Sequence, residues 1–446
     1  MAVLTYKWSN FLRGEGISDF ASSGGFSPSS IGINLNRTPG VIYFNEAQTD
    51  RTGSGTLTDD VIAHTDDLNF SGNDKYLVDD SGGVYTYDDT TLTKRQTIST
   101  DGGNMTYGTT DILQFKSVTY ITTDDAVHQL TGSNLATTAN WWDGLGSNHR
   151  HPLESVEDEM FIGDGNIIYF WNGTNSGKAF TLPTQNRVTT LRKHSDGKTL
   201  LAFTGKTDNH SHTEPSTGRV YYCDPNLRDW TREVELEAQV EGSRVVGGVI
   251  FTTYGKNLGF FDGNGLQFLK KLETSENTYS HSLYNLEDIL LVRDGRNVLA
   301  YGDLGLGNIF WKIARNSNAN NLNIVTHVGK NVLLLGGTGT DLESLDLDNA
   351  GADGQLYTPR EYFDQEVDVH KIEIFHDTAS TYTLNVNYVD LADTQNVVET
   401  IIYTGESIEK STIQTDIRTD IFQLLLAPSN GSIGIKFIRI HYDPVV

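Results

Sequence analysis

Residues 158–175 read DEMFIGDGNIIYFWNGTN. Two short apolar runs, Met160–Ile162 and Ile167–Trp171, flank the polar turn Gly163-Asp164-Gly165-Asn166. Apolar runs of strand length around a Gly/Asn/Asp turn are the sequence form of a β-hairpin. The turn reads as backbone chemistry rather than as a ligand site. Gly and Asn tolerate positive φ, and Asp caps its own backbone.

The hairpin recurs. Aligned on their first apolar run, the copies are Tyr76-Leu77-Val78, Thr119-Tyr120-Ile121, Met160-Phe161-Ile162, Leu200-Leu201-Ala202, Val249-Ile250-Phe251, Ile289-Leu290-Leu291 and Val332-Leu333-Leu334. The spacings are 43, 41, 40, 49, 40 and 43, and the long one holds the polar insertion GKTDNHSHTEPSTG at 205–218. A second run follows in most copies, as at Val84–Tyr87, Arg219–Cys223, Leu258–Asp262 and Val298–Tyr301. Further strands flank the hairpins, near Leu153–Val156 and Lys178–Leu182 in the third copy and near Ser282–Leu286 and Asn308–Ile313 in the sixth. Four strands per period of roughly 40–50 residues is the pattern of propeller blades. One twisted four-stranded sheet cannot bury both faces alone, whereas blades stacked around an axis bury them in turn. The expectation is an all-β chain with a β-propeller at 40–358, of about seven four-stranded blades, six or eight being possible. GVIYFN at 40–45 is expected to supply the outer strand of the last blade. A large β-sandwich pair is the alternative fold, but it does not explain the near-constant period.

From about Pro359 the period stops. HKIEIFH, TYTLNVNYVD, NVVETIIYTG, IFQLLLA and IGIKFIRIHYD alternate between apolar and polar, which suggests a small C-terminal β-sandwich at 359–446. SNGS at 429–432 reads as a hairpin turn between its last two strands. Residues 1–39 read as an extended N-terminal arm. Its ASSGGFSPSS stretch at 21–30 lies either on a neighbouring subunit or across its own propeller.

The chain has 446 residues, 58 acidic and 33 basic, for a net charge of −25. Such a surface repels phosphate and anionic lipid, which argues against general nucleic-acid affinity. It serves solubility, or lets nucleic acid slide past without sticking. The single cysteine, Cys223, forms no intramolecular disulfide and reads as a core residue rather than a nucleophile. MAVLTYKWSNFLRGEG carries no signal-peptide pattern, and no stretch approaches 18 apolar residues. A folded cytoplasmic or particle-associated protein is expected.

Catalytic motifs are weak. There is no G-x-S-x-G elbow, no phosphate loop with its lysine and no H-E-x-x-H helix. DLDNAGADG at 346–354 fails as a calcium loop, having Ala350 at the fifth position and Tyr357 at the twelfth. STDGGNMT at 99–106 is a lone, imperfect copy of a sialidase Asp-box. The pairs His149/His151 and His210/His212, the latter near Glu214, have a spacing that suits zinc, but they sit among polar residues and read as solvated loops. Asp88-Asp89 and Asp124-Asp125 read as turn tips. Trp141-Trp142 and Trp171 could stack on sugars, but in a propeller they more often fill the space between blades. No catalytic, cofactor or metal residue is assigned, and no cofactor is expected.

The order of parts carries a resemblance. An arm, GGFSPSSIGINLNRTPGVIYF, leads into a propeller and then into the C-terminal HKIEIFH…IGIKFIRIHYD. This resembles the β-propeller proteins of tailed-bacteriophage virions, of the tail nozzle and hub type. The resemblance implies a non-catalytic structural component of the virion, in the tail or neck, made in the host cytoplasm. It implies a homo-oligomeric ring that docks on portal, adaptor or other tail proteins. Double-stranded DNA would pass through during ejection without specific binding. A host-receptor or glycan-binding propeller is the alternative, and a propeller-fold glycosidase or lyase the third class.

Overall fold

The computed structural model describes residues 4–445 except 9–29, 36–41, 46–47, 52–56, 67–74, 89–90, 99–104, 106, 132–135, 147–148, 207–216, 275–277, 304–307, 319, 329–331, 349–350, 352–353, 378–381, 390–394, 404–409 and 432. Among the described residues the chain is all-β apart from one 3-10 turn at Ser280–Ser282. Backbone contacts divide it into two compact units. One comprises Asp50–Arg296 and Asn316–Ser344. The other comprises Met1–Thr49, Asn297–Arg315 and Leu345–Val446.

Seven four-stranded antiparallel sheets follow one another along the chain and form the blades of a β-propeller. Blade 1 runs Val61–Asp66, Lys75–Asp79, Gly83–Tyr87, Leu92–Thr97. Blade 2 runs Ile112–Phe115, Val118–Thr122, Ala126–Thr131, Ala136–Asp143. Blade 3 is Leu153–Val156, Glu159–Asp164, Ile167–Trp171, Ser176–Thr181, and blade 4 is Arg187–Lys193, Leu200–Gly205, Gly218–Asp224, Asp229–Leu236. Blade 5 is Gly242–Val246, Val249–Tyr254, Asn257–Phe261, Leu266–Lys271, and blade 6 is Leu283–Leu286, Ile289–Asp294, Asn297–Asp303, Asn308–Arg315. Blade 7 joins Leu322–Val328, Val332–Gly337 and Leu342–Asp346 to Thr49–Asp50.

The first strand of each blade packs against the first strand of the next, and Leu322–Val328 packs against Val61–Asp66, so the ring closes. Apolar side chains seal the closure. Val61, Leu77 and Tyr85 of blade 1 cluster with Ile324, Val328, Leu334 and Leu342 of blade 7. Arg51 adds hydrogen bonds, its N–H donating to the Leu342 carbonyl at 2.8 Å and its Nε to Ser344 Oγ at 2.8 Å. The strand that completes blade 7 is therefore not the expected GVIYFN. Ile42–Phe44 pairs with Ile33–Asn34 and with the last strand of the chain. The physical reason is burial. An outer blade strand is half in water, which suits the exposed Thr49–Asp50, whereas Ile42 and Phe44 are fully buried where they lie.

The hairpin at 158–175 shows the strand alternation directly. Met160 and Ile162 pack with blade 2 residues Phe115, Tyr120 and Val127. Phe161, between them, packs with Leu191, Leu200 and Tyr221 of blade 4. Its turn differs from expectation. Asp164 pairs with Ile167, so the loop is only Gly165-Asn166, and of the two only Gly165 has positive φ, at 57°. Asp164 does not cap its own turn but accepts the Gly146 N–H at 2.9 Å.

The second unit holds two further sheets. In one, Gly434–Pro444 pairs on one side with Glu361–Asp377 and on the other with Leu4–Trp8 and Ile42–Phe44, while Lys410–Phe422 forms an edge. The other has the order Leu356–Tyr357, Leu424–Gly431, Tyr382–Val389, Gln395–Tyr403. In the 17-residue strand Glu361–Asp377, burial switches from odd to even positions, Val367 and Val369 and then Ile372 and Ile374. A register shift between Val369 and Lys371 lets the same face stay inward. SNGS is not a hairpin turn. The strand Leu424–Gly431 runs through Ser429 to Gly431, and the strand after it belongs to the other sheet. Within the expected arm, Leu4–Trp8 and Ile33–Asn34 are strands of the six-stranded sheet. ASSGGFSPS at 21–29 lies outside the described residues.

Candidate functional site: the axial cavity

The first strands of the blades carry polar side chains opposite the apolar anchor runs. His64 pairs with Leu77, Glu154 with Phe161, Arg192 with Leu201, Arg244 with Phe251, Asn285 with Leu290 and His327 with Leu333. They surround the axis, and first-strand residues from six blades line a cavity of about 530 Å³. The turns at Gly197 and Gly248 line it as well.

The polar groups join blades to one another. Arg192 Nε and Nη2 donate to the Ser243 carbonyl of blade 5 at 2.9 and 2.5 Å, and its Nη1 lies 3.8 Å from Glu154 Oε2 of blade 3. Arg244 Nε and Nη2 donate to Asn285 Oδ1 of blade 6 at 3.2 and 2.9 Å, with the guanidinium 4.8 Å from the centre of the Tyr284 ring. Asp111 Oδ1 accepts from His281 Nε2 at 2.9 Å, and Oδ2 accepts from the Leu153 N–H at 2.9 Å. His64 Nε2 donates to the His281 carbonyl at 3.1 Å, while its Nδ1 is buried without a partner. Lys75 Nζ donates to the Tyr284 hydroxyl at 2.8 Å. The Tyr284 ring also packs on His64 and His327, with centroids 5.5 and 5.0 Å away.

Burial sets the charges of this cluster. It pushes the Lys75 ammonium down from 10.5 to about 7, with help from the Arg244 charge. It pushes His64 well below the usual imidazole range, and His327 down to about 4. Glu154 is raised by burial, which outweighs the attraction of Arg192. Burial also acts upward on Asp111, but the hydrogen bond and charge of His281, the Leu153 N–H and Arg192 outweigh it and hold the carboxyl low. A sheltered cavity with two guanidiniums can hold an anion, and the same contacts brace the ring.

A second buried pair lies in the segments between blades. Arg150 Nη2 meets Glu241 Oε2 at 2.5 Å, both side chains being 2% exposed. The guanidinium sits 4.9 Å from the centre of the Tyr279 ring.

None of the axial residues stands out from the sequence alone. The available signal was position, a polar residue on the strand just before six of the seven anchor runs. The residues the sequence did single out fall elsewhere. His151 is not solvated. It is fully buried, with Nδ1 3.0 Å from the Gly163 carbonyl and Nε2 2.9 Å from the Asp124 carbonyl, and so ties blade 3 to the turn at Asp124. His149 is half-buried beside it. His210, His212 and Glu214 lie outside the described residues, as do 99–104 of STDGGNMT and Ala350 of DLDNAGADG. Among the described residues no group of three or more His, Cys, Asp or Glu could hold a metal ion. Cys223 is a buried core thiol, pushed up to about 12 by burial. Trp141, Trp142 and Trp171 pack between blades 2 and 3, with Trp171 Nε1 donating to the Tyr120 hydroxyl at 3.0 Å. Asp88 accepts the Thr91 N–H within its turn. Among the described residues no helix is long and apolar enough to cross a membrane.

No protein-family model and no curated protein matches the chain. Solved structures resemble it at low identity. The extracellular domain of a hybrid two-component system from B. thetaiotaomicron matches at 14% identity with a TM-score of 0.48, over 74% of this chain and 45% of that one. YCF48 bound to a D1 peptide matches at 11% identity and 0.46, over 67% and 96%. A chain of the mitotic checkpoint complex matches at 14% and 0.44, over 70% and 94%. The fold itself rests on the sheets described above: the chain is an all-β protein built on a β-propeller.

Proposed function

We propose that this chain is a non-catalytic structural component of a tailed-phage particle, a ring-forming tail or neck protein at the DNA exit channel. The observation that carries the reading is an open sheet edge. Lys410–Phe422 is 13 residues long, and among the described residues it pairs on one side only, with Glu361–Asp377. An unpaired edge of that length offers a row of backbone donors and acceptors to a strand of the next copy. Head-to-tail use of such an edge generates a ring when the rotation closes.

Net charge supports the same reading. The chain has 58 acidic and 33 basic residues, a net charge of −25. An acidic exterior keeps attraction to DNA low, so passing DNA does not stick.

The test is the state of the purified chain. Mass photometry and negative-stain imaging should show a closed symmetric oligomer, and the chain should co-purify with virions. A strict monomer at tens of micromolar that never associates with particles would sink the proposal. Replacing exposed acids by lysine should slow DNA ejection in a salt-dependent way.

A further inference from the structure

We propose that the axial cavity binds a small organic acid, with its carboxylate received between Arg192 and Arg244 and its apolar body against Leu113, Leu153 and Val245. The inference concerns the cavity of a single chain and does not depend on ring assembly.

Three observations lead to it. The first is size. About 530 Å³ falls within the range of small-molecule sites, roughly 300–1,000 Å³. The second is an imbalance between the two guanidiniums. Arg192 has Glu154 within 3.8 Å. Arg244 has no carboxylate at ion-pair distance among the described residues, and its hydrogen bonds go to the neutral oxygen of Asn285. A sheltered cation with only a neutral partner lacks the counter-charge that burial demands. Nε and Nη2 are engaged with Asn285, so the Nη1 hydrogens remain for a ligand oxygen. The planar guanidinium fork matches a carboxylate.

The third observation sets the ligand's charge and body. Glu154 and Asp111 also line the cavity, so a compact dianion would be repelled. One carboxylate on an apolar body satisfies Arg244, keeps clear of the two acids and covers the leucines. The bracing contacts do not compete at Arg244, where they use Nε and Nη2; Arg192, whose nitrogens already donate to the Ser243 and Leu191 carbonyls, contributes chiefly its charge.

The experiment is calorimetric titration of the full-length protein with benzoate, with its neutral isostere benzamide, and with inorganic phosphate. Benzoate should bind one per chain, with benzamide and phosphate each at least ~10-fold weaker. Arg244→Gln should weaken benzoate ~10-fold or more, and Glu154→Gln should tighten it several-fold by removing a like charge. The gain in Glu154→Gln is the decisive arm, since a misfolded variant cannot bind better. Three results would overturn the proposal. One is no binding by folded wild-type protein at about 10 mM benzoate. Another is benzamide or phosphate binding as well as benzoate. The third is affinity unchanged in both variants.

Discussion

Replacing Arg150 by methionine should destabilise the propeller by about 3–5 kcal/mol, because it removes the cation paired with the buried Glu241 carboxylate. The magnitude follows from the site. Both side chains are 2% exposed, and the Nη2–Oε2 contact is 2.5 Å. Arg150 Nη1 also donates to the Glu241 carbonyl at 3.3 Å, and its guanidinium faces the Tyr279 ring. After the substitution Glu241 keeps the Gln239 Nε2 hydrogen bond at 3.2 Å, a neutral partner too weak to replace a cation. Glu241→Met should cost a similar amount by stranding Arg150. The double variant Arg150→Met/Glu241→Met removes both charges and should fall well short of the sum of the single losses, giving a coupling of about 3 kcal/mol. For a unit of this size, about 2 °C of melting midpoint corresponds to each kcal/mol, so each single variant should melt ~6–10 °C lower. Scanning calorimetry of the four proteins reads the cycle. If the double variant's loss equals the sum of the singles, the pair is not coupled and the reasoning fails.

Three further outcomes are expected. Lys75 holds its proton less tightly folded, at about 7, than unfolded, at 10.5, so the unfolded chain binds more protons between these values. Stability should therefore rise with pH across that window, by up to ~1.4 kcal/mol per unit from this group, and Lys75→Met should flatten the slope in urea titrations at pH 7, 8.5 and 10. Trp171→Phe removes the donor to the Tyr120 hydroxyl across blades 2 and 3 and should cost about 1 kcal/mol in denaturant midpoint, whereas a loss under ~0.3 would mean water replaces the bond. Gly259→Ala places a Cβ well inside van der Waals contact of the Gln267 carbonyl oxygen, a backbone atom that cannot swing aside, and should lower stability by ~1–3 kcal/mol.

The repeat was legible in the sequence because burial on both faces of a blade requires an apolar triplet at each second strand. Met160-Phe161-Ile162 is such a triplet, its middle residue facing one neighbour and its outer two the other. The seven runs aligned with it suggested about seven blades, with six or eight open, and the structure has seven. Alternation marked the C-terminal strands in the same way. The fate of GVIYFN was not legible, because an apolar strand has several possible partners and only the completed packing selects among them. Nor could the sequence show that His151 is buried, since the two carbonyls beside its ring nitrogens belong to other segments of the chain.

The axial cavity marks the same division more sharply. The sequence by itself determined the period, the strand type and the places where the chain turns, because these depend on side chains close along the chain. Tertiary structure alone decided which residues meet at the centre. Asp111 and His281 lie 170 positions apart, and Lys75 and Tyr284 lie 209 apart. Each looks like an ordinary polar residue of its own repeat. Only closure of the ring points one position per blade at a common axis, takes those groups out of water and makes their charges interact.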